Sequence, residues 1–512
     1  MSEIAVAEPG TRLQNFLDRA GLRGFPWKTA TILYTISWGW LFIVRDSYWA
    51  DDWNRFLHPE ITPFDYDSLG LAPWTALNFV FFKIFGPGLF RLITFCFYFG
   101  SGVAVFGIIK SIEYLNLMQR KQILLMFLLL PFGSARVTLM VFHYTTAYFA
   151  FFLAWFLFVS FPTRSSRCMY VPLFFFSFQM HSLVFFILLP ILLAAIKSKI
   201  NNILKLRGFI KDNLILICLP FFYLGLRNIF WKGWTTYHTI SKDGFIQFAK
   251  IVLVCLFVLI VISFASKFRS FPKKVLAIGM ATSMLALTPY ILGGFYVSSD
   301  FFVVTFLEWM LGRSDWDARH QILQPFGAAF LIVGVSCVMP MNRKFKQIVF
   351  SLILTLSVIF NFGFGFEYVV DYQKQRAIAD AIAVSDHSQV ITELQIIDNT
   401  KHLNARGRTY RPRDWLGITS LAINLKQVLE IKNVDYKCRE VGGTRFLLIR
   451  GPETHWQALK NWVSDGDMGF KVTVDDTPGA CKPGMSTSEP EEINNSFSGA
   501  IPILFYFTGA KG

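Results

Sequence analysis

Two adjacent carboxylates, Asp51 and Asp52, follow the first apolar segment of the chain directly. They stand in the stretch RDSYWADDWNRF, where aromatic residues flank them as they do at bilayer interfaces. An ionisable group this close to hydrocarbon usually has a functional reason to be there. Such a pair suits proton transfer from a hydroxyl, because one carboxylate can act as base while the other orients the reactant. The structural alternative is that Asp51 merely caps a helix beginning at Asp52.

A second candidate is the stretch GRSDWDARH, which precedes the apolar run 322–338. Arg319 is predicted to lie at the membrane edge, where a guanidinium could hold a phosphate group in a two-pronged geometry. His320 and Arg313 are weaker candidates for the same binding site. The alternative is that Arg319 extends its charge from a helix end to water, or pairs with a nearby aspartate.

A third set of polar groups is scattered over predicted helix ends: Arg136, His143 and His181. Ionisable groups at membrane depth usually face a cavity, so we expect these three to contribute to substrate binding. Together with Asp51 and Asp52 they could bind a divalent metal, but their spacing matches no metal-binding motif. The alternative is that the histidines are buried in the core with their hydrogen bonds satisfied.

These side chains need a membrane scaffold, which the composition provides. The chain has 512 residues, of which 54% are hydrophobic and only 16% charged, whereas soluble proteins carry about 25% charged residues. A net charge of +15 could indicate nucleic acid binding. The basic residues instead cluster in short patches between apolar segments, which is typical of cytoplasmic loops and argues against nucleic acid.

About eleven apolar segments are predicted to form transmembrane helices. They are 29–44, 88–109, 122–135, 145–161, 169–181, 182–196, 213–229, 248–266, 275–292, 324–340 and 347–363. Alternate loops are basic, which predicts a cytoplasmic N-terminus over 1–28 and a periplasmic C-terminus. The transmembrane domain is then 29–366, and its first outer loop, 45–87, carries the acidic pair. Within that loop, the apolar stretch 71–85 is predicted to lie in the interface as a helix.

Hydropathy falls sharply at Glu367, so a soluble extracytoplasmic domain is predicted over 367–512. Its pattern predicts an α+β fold. The expected helices are 370–384, 413–430 and 453–464, and the expected strands are 389–398, 444–450, 470–475 and 500–507. Cys438 and Cys481 are the two cysteines of this domain, and an even pair in an oxidising compartment predicts a disulfide. Two buried thiols are the alternative.

A first span, an outer loop opening with the acidic pair Asp51-Asp52, many further helices and an outer domain together resemble the GT-C class of glycosyltransferases. Within that class the chain is most similar to bacterial glucosyltransferases that modify O-antigen, lipopolysaccharide or related surface glycans. The resemblance implies a polyprenyl-phosphate sugar donor, a glycan acceptor, and a role for Asp51 and Asp52 in activating the acceptor. It implies an enzyme of the bacterial inner membrane that acts on the outer face and has membrane lipid around it.

Two other functions remain open from the sequence. A flippase or transporter of lipid-linked sugars would be expected to show charges inside its spans, broken helices in matching positions and an internal repeat, whereas here the charges crowd at the outer ends of the spans and no repeat is evident. A glycan polymerase would share the lipid substrate and the outer site, and only the acidic pair in the first loop favours a transferase that moves single sugars.

Overall fold

The computed structural model describes residues 18, 20–49, 52–53, 72–112, 115–161, 163–198, 203–231, 242, 245–246, 249–250, 253, 270–292, 323–338, 342–384, 391–420, 428–433 and 444–475. Most of these residues are helical. The helices are α1 (Trp27–Trp38), α2 (Ala72–Lys110), α3 (Leu117–Leu129), α4 (Phe142–Ser160), α5 (Arg164–Ser177), α6 (Ser182–Phe186), α7 (Leu188–Lys197), α8 (Ile203–Phe230), α9 (Ser270–Leu292), α10 (Gln324–Val338), α11 (Arg343–Val384), α12 (Pro412–Ser420) and α13 (His455–Asp465). The strands are β1 (Ile391–Asp398), β2 (Val428–Asn433), β3 (Thr444–Arg450) and β4 (Lys471–Asp475).

Four helices in the described part of the chain are long and apolar enough to cross a membrane. They are Ile84–Lys110 of α2, α4, α8 and α11. Shorter apolar helices cover Ser182–Lys197, Lys274–Ala286 and Gln324–Val338. The length and composition of these helices are consistent with the membrane character that the composition predicts. The predicted span 248–266 lies almost entirely outside the described residues.

The predicted first span, 29–44, is not one continuous α-helix. Helix α1 ends at Trp38, and a 3-10 helix over Gly39–Phe42 continues the chain. An α-helix of 12 residues is about 18 Å long, well short of the ~30 Å hydrocarbon core. The acidic stretch (45–56, of which 45–49, 52 and 53 are described) therefore follows a 3-10 helix and not the end of an α-helix.

Helix α2 contains the predicted 71–85 helix and the predicted 88–109 span. They are separated by Gly86, whose φ of 67° and ψ of −175° interrupt the helical backbone. Glycine adopts this left-handed region without a steric penalty, and Pro87 follows it. The break lets the segment before Gly86 take a different direction from the span after it.

Other helix boundaries differ from the sequence predictions for local reasons. The predicted span 182–196 is divided at Ile187 into α6 and α7, close to Pro190, which cannot donate a backbone hydrogen bond. The predicted span 122–135 ends earlier as a helix, at Leu129, just before Pro131 and Gly133. The predicted span 169–181 begins five residues earlier, at Arg164, where Thr163 caps the helix through a reciprocal hydrogen-bond pair with Ser166.

The helical part encloses a core rich in aromatic side chains. Phe127 of α3 stacks on Tyr98 of α2, with ring centroids 5.5 Å apart, and on Tyr148 of α4, at 6.1 Å. Phe326 of α10 packs edge-on against Phe127 at 6.2 Å. These contacts join three consecutive helices to α10 from much later in the chain, and aromatic pairs of this geometry add about 0.5–1.5 kcal/mol beyond area burial.

Helix α11 crosses the predicted domain boundary at residue 366 without interruption. It has 42 residues and is about 63 Å long, roughly twice the thickness of the hydrocarbon core. Its first half is the apolar candidate span, and Tyr368, Val369, Asp371, Lys374 and Ile378 in its second half are buried. One continuous helix thus connects the apolar helices to the C-terminal sheet.

The C-terminal sheet has the strand order β2-β1-β3-β4. Strand β1 pairs in parallel with β2 and β3, whereas β3 and β4 are antiparallel. The predictions for 444–450 and 470–475 agree closely with β3 and β4. The predicted strand 500–507 lies outside the described residues.

The predicted helix over 413–430 is wrong in its last part. Helix α12 ends at Ser420, and residues 428–430 belong to β2, where Val428 pairs with Ile391. Pairing with β1 therefore prevails over helix formation there.

Candidate functional site

The loop that follows α1 is fixed by an arginine of α2. The Arg91 guanidinium donates from Nη1 to the carbonyl oxygen of Arg45 at 2.5 Å and from Nη2 to that of Ser47 at 2.6 Å. Its Cζ lies 5.2 Å from the centre of the Trp49 ring, within cation–π range. Arg91 is 1% exposed, so this contact is closed to water. The two carbonyl groups are held by one rigid fork.

Asp52 is completely buried and links two distant backbone segments. Its Oδ2 atom accepts hydrogen bonds from the backbone N–H of Trp49 at 3.2 Å and from that of Leu139 at 3.0 Å. Leu139 begins a short 3-10 helix between α3 and α4. The carboxylate therefore holds the acidic stretch against the connection between these helices. Charge-assisted hydrogen bonds of this kind are about twice as strong as neutral ones.

Burial and charge around this loop also act on Tyr48. Burial raises the pKa of the Tyr48 hydroxyl. The positive charge of Arg91 opposes this rise and the negative charge of Asp52 adds to it, and the resulting pKa is about 12. The Tyr48 ring lies 5.1 Å from the Trp53 ring. Arg91, Asp52 and Tyr48 thus belong to one electrostatic neighbourhood.

Trp53, the residue after Asp52, belongs to the apolar cluster beside the C-terminal sheet. Its neighbours in that apolar cluster include Ile378 of α11, Trp415 of α12 and Ile449 of β3. A Cβ atom added at Gly417 would overlap the Trp53 indole ring, so only glycine allows α12 to approach this closely. Trp53 therefore packs the end of the described loop segment against the C-terminal sheet and α12.

Tyr368 of α11 provides a second connection. Its ring stacks on Trp40 with centroids 5.2 Å apart and an interplanar angle of 4°, and it meets Trp49 edge-on at 5.3 Å. All three side chains are buried. The end of the first helical segment, the acidic stretch and α11 therefore share a continuous aromatic contact.

Arg136, predicted to bind substrate, is buried between two aromatic rings. Its Cζ lies 3.9 Å from the centre of the Trp38 ring and 3.7 Å from that of the Tyr98 ring. It also donates to the carbonyl oxygens of Gly133 and Phe132. These contacts give Arg136 a structural role, which the sequence analysis did not foresee. Its binding of substrate stays a prediction.

The two predicted histidines lie in different surroundings. His143 is buried at the start of α4, and its ring centroid is 4.2 Å from that of Tyr144. It follows Leu139, the partner of Asp52, by one helical turn. His181 lies before α6, with its ring 6.5 Å from that of Tyr223 on α8. The structure thus places His143, but not His181, beside the segment that Asp52 holds.

The remaining predicted site residues lie outside the described residues. They are Asp51, Arg313, Arg319, His320, and the predicted disulfide pair Cys438 and Cys481. In the part of the chain that the structure describes, no three His, Cys, Asp or Glu side chains are grouped as metal ligands would be.

A buried polar network that the sequence analysis missed joins α11 to the sheet domain. Lys374 Nζ donates to Asp398 Oδ2 at 2.7 Å and to Asn404 Oδ1 at 2.6 Å. One turn earlier, Asp371 accepts from the backbone N–H of Ala405 at 2.9 Å and from the Tyr410 hydroxyl. The available signal was the pair Asp371 and Lys374, spaced three residues apart on one face of a helix.

Burial and the neighbouring Asp371 carboxylate hold the pKa of Tyr410 well above its ordinary value. Tyr410 therefore stays protonated and keeps donating to Asp371. Arg408 approaches the same carboxylate at 3.5 Å. Removing one member of such a buried network costs far more than breaking a surface ion pair.

The fold and site together define a mostly helical protein with helices apolar enough to cross a membrane and a small mixed sheet at its C-terminal side. No family model, no curated protein and no solved structure matches this chain.

Proposed function

We propose that the protein is an integral membrane glycosyltransferase of the GT-C type. It would transfer a single hexose, such as glucose, from a polyprenyl-phosphate donor to O-antigen, lipopolysaccharide or a similar surface glycan. The reaction would take place on the outer face of the bacterial inner membrane. The proposal includes about eleven transmembrane helices, a cytoplasmic N-terminus and a periplasmic C-terminal domain.

The observation that carries the proposal is the burial of Asp52 within an acidic stretch fixed from three sides. Arg91 holds the carbonyl groups before it, Leu139 donates to its carboxylate, and Trp53 enters the C-terminal domain. A loop that only connected two helices would gain little from such ordering, which costs conformational entropy. Catalysis does need it, because reacting groups must be held in place before the reaction.

The two carboxylates are assigned different roles. Oδ2 of Asp52 is already engaged by two backbone N–H groups, which suits an orienting residue better than a base. Asp51 is therefore proposed as the base. It takes the proton of the acceptor hydroxyl, the acceptor oxygen forms the new bond to the anomeric carbon, and the bond from that carbon to the phosphate oxygen breaks. The polyprenyl phosphate leaves with the bonding electron pair, and the configuration inverts.

Arg319 is proposed to stabilise the departing phosphate, where negative charge develops. Arg313 and His320, from the same stretch, and His143, which lies next to the Asp52-bound segment, are proposed as further substrate contacts. Any divalent metal would add charge stabilisation at the phosphate, as cations do in phosphate chemistry.

The C-terminal domain is proposed to shape the access of the glycan acceptor. Its packing around Trp53, one residue after Asp52, supports this role because displacement of the domain would displace the acidic stretch. The long helix α11 and the Lys374 network hold the domain in that position.

The function is tested by deleting the gene and determining the mass of the surface glycan. Loss of one hexose per repeat, restored by the wild-type gene but not by an Asp51→Asn variant expressed at the same level, is the expected result. Shortened chains with intact repeats would identify a polymerase instead. An unchanged repeat would contradict both.

If deletion leaves lipid-linked sugar confined to the cytoplasmic leaflet, the protein is a flippase. An assay of sugar transfer by the purified protein in detergent distinguishes a flippase from a transferase, because the substrates then need not cross a membrane. A flippase would show no transfer there, whereas a transferase would.

A further inference from the structure

A cavity of about 980 Å³ lies at the end of the helical part that is remote from Asp52. Ser111, at the C-terminal end of α2, lines it, while Arg91 on the same helix contacts the acidic stretch. The helix from Arg91 to Ser111 is about 30 Å long, close to the thickness of the hydrocarbon core. The cavity and the acidic stretch are thus on opposite sides of the bundle.

The cavity is assembled from helix ends that the sequence analysis assigned to one face. The start of α5, the end of α7, the early part of α8 and the start of α9 all contribute to its lining. Each of these ends carries basic residues. Basic residues from three of these ends, Arg167, Lys197 and Lys274, line the cavity.

The lining has one apolar part and one cationic part. Apolar side chains such as Trp155, Phe158 and Leu193 form the wall, and the exposed cationic residues Arg167, Lys197 and Lys274 complete the lining. Asp212 is the one carboxylate among the described lining residues. Arg167 and the buried Tyr170, three residues apart on α5, both line the cavity. An occupant must therefore combine negative charge with hydrocarbon.

We propose that this cavity binds an anionic phospholipid of the surrounding leaflet, with its phosphate at Arg167 and Lys197 and its acyl chains along the Trp155 wall. Basic pockets between membrane helices on the cytoplasmic side bind anionic lipid headgroups. A guanidinium favours phosphate because it can donate two parallel hydrogen bonds. The proposal is independent of the proposed transferase activity, because a phosphate here is too far from Asp52 to react there.

The experiment measures lipid retention by native mass spectrometry and thermal unfolding of the purified, delipidated protein. Phosphatidylglycerol is compared with phosphatidylcholine of the same acyl chains, with inorganic phosphate and with polyprenyl phosphate. The cavity variant is Arg167→Gln/Lys197→Gln. The matched control is Arg343→Gln/Lys344→Gln, which removes the same charge from exposed residues at the start of α11.

We expect the wild-type and control proteins to retain phosphatidylglycerol, which raises their unfolding temperature. In the cavity variant, the amount of retained phosphatidylglycerol should be at least tenfold lower. Leu193→Trp fills the cavity beside the apolar wall without a change of charge, and it should also abolish retention of phosphatidylglycerol. This variant provides the test if the charge variant fails to fold. Equal retention by the cavity and control variants would overturn the proposal. So would equal binding of phosphatidylcholine, an effect of inorganic phosphate alone, or a preference for polyprenyl phosphate.

Discussion

The Asp52 carboxylate accepts a hydrogen bond from the backbone N–H of Leu139, a residue 87 positions further along the chain. The bond joins the acidic stretch after α1 to the connection between α3 and α4. With the Trp49 N–H on the same oxygen, it makes Asp52 the residue that defines the shape of the stretch. The first prediction follows from this arrangement.

Asp52→Ala should destabilise the protein by about 1–3 kcal/mol for each backbone donor left buried without its acceptor. Asp52→Asn retains a carbonyl oxygen that can accept from the same donors, so its loss of stability should be much smaller. Thermal unfolding of the two purified variants measures the difference. Asp46→Asn is the control, because Asp46 is exposed in the same loop and pairs with Arg45. Equal unfolding temperatures for Asp52→Ala and Asp46→Asn would show that Asp52 does not organise the loop.

Arg91→Lys should leave the protein inserted but slow sugar transfer by roughly 10- to 100-fold, since a lysine cannot hold the carbonyl groups of Arg45 and Ser47 in one fork and small misplacements of reacting groups are costly. The measurement is the transfer rate of purified protein at saturating donor. Arg45→Lys, an exposed change in the same loop, serves as control. A normal rate in Arg91→Lys would remove Arg91 from the site.

Gly417→Ala should weaken the packing of the C-terminal domain on Trp53, because the added methyl group overlaps the indole ring. Overpacking of this kind costs about 1–3 kcal/mol. Trp53→Phe makes room and should recover part of the loss in the double variant. Unfolding temperatures of the two single variants and the double variant give the coupling. Gly363→Ala, where a Cβ meets nothing within 4 Å, should have little effect, and additive effects of the Gly417 and Trp53 changes would contradict the contact.

The sequence predicted much of the helical pattern, because apolar segments and basic loops are local features that periodicity and composition record. It predicted β3 and β4 for the same reason. The failure at 428–430 arose because β2 is stabilised by its pairing with β1, a contact that no local pattern contains.

The candidate site was only partly predictable. Asp52 was identified from its place after an apolar segment, but its partner Leu139 contributes a backbone N–H and leaves no trace in the sequence. Arg91 could have been identified, since it is the one charged residue in the apolar stretch 84–109 and such residues usually have a buried partner. The structural role of Arg136 could not have been predicted, because its aromatic neighbours Trp38 and Tyr98 come from other parts of the chain.

Lys374→Met should destabilise the C-terminal domain by about 3–5 kcal/mol, because it leaves the Asp398 carboxylate buried without its cationic partner. Adding Asp398→Asn should recover part of that loss by removing the uncompensated charge. Thermal unfolding of the purified single and double variants measures both changes. Lys460→Met, on the exposed face of α13, is the matched control. Indistinguishable unfolding of the Lys374 and Lys460 variants would mean that the network does not hold the domain.

We propose that the acidic pair supplies the base for sugar transfer, with Asp51 accepting the proton and Asp52 holding the loop. The most direct test of this proposal is the single-turnover transfer rate of purified Asp51→Asn protein, from a polyprenyl-phosphate hexose to the glycan acceptor, against Asp46→Asn. We expect Asp51→Asn to be slower by about 100-fold or more with an unchanged unfolding temperature, because asparagine keeps the shape but cannot take the proton, while Asp46→Asn keeps the wild-type rate. A wild-type rate in Asp51→Asn would contradict the account.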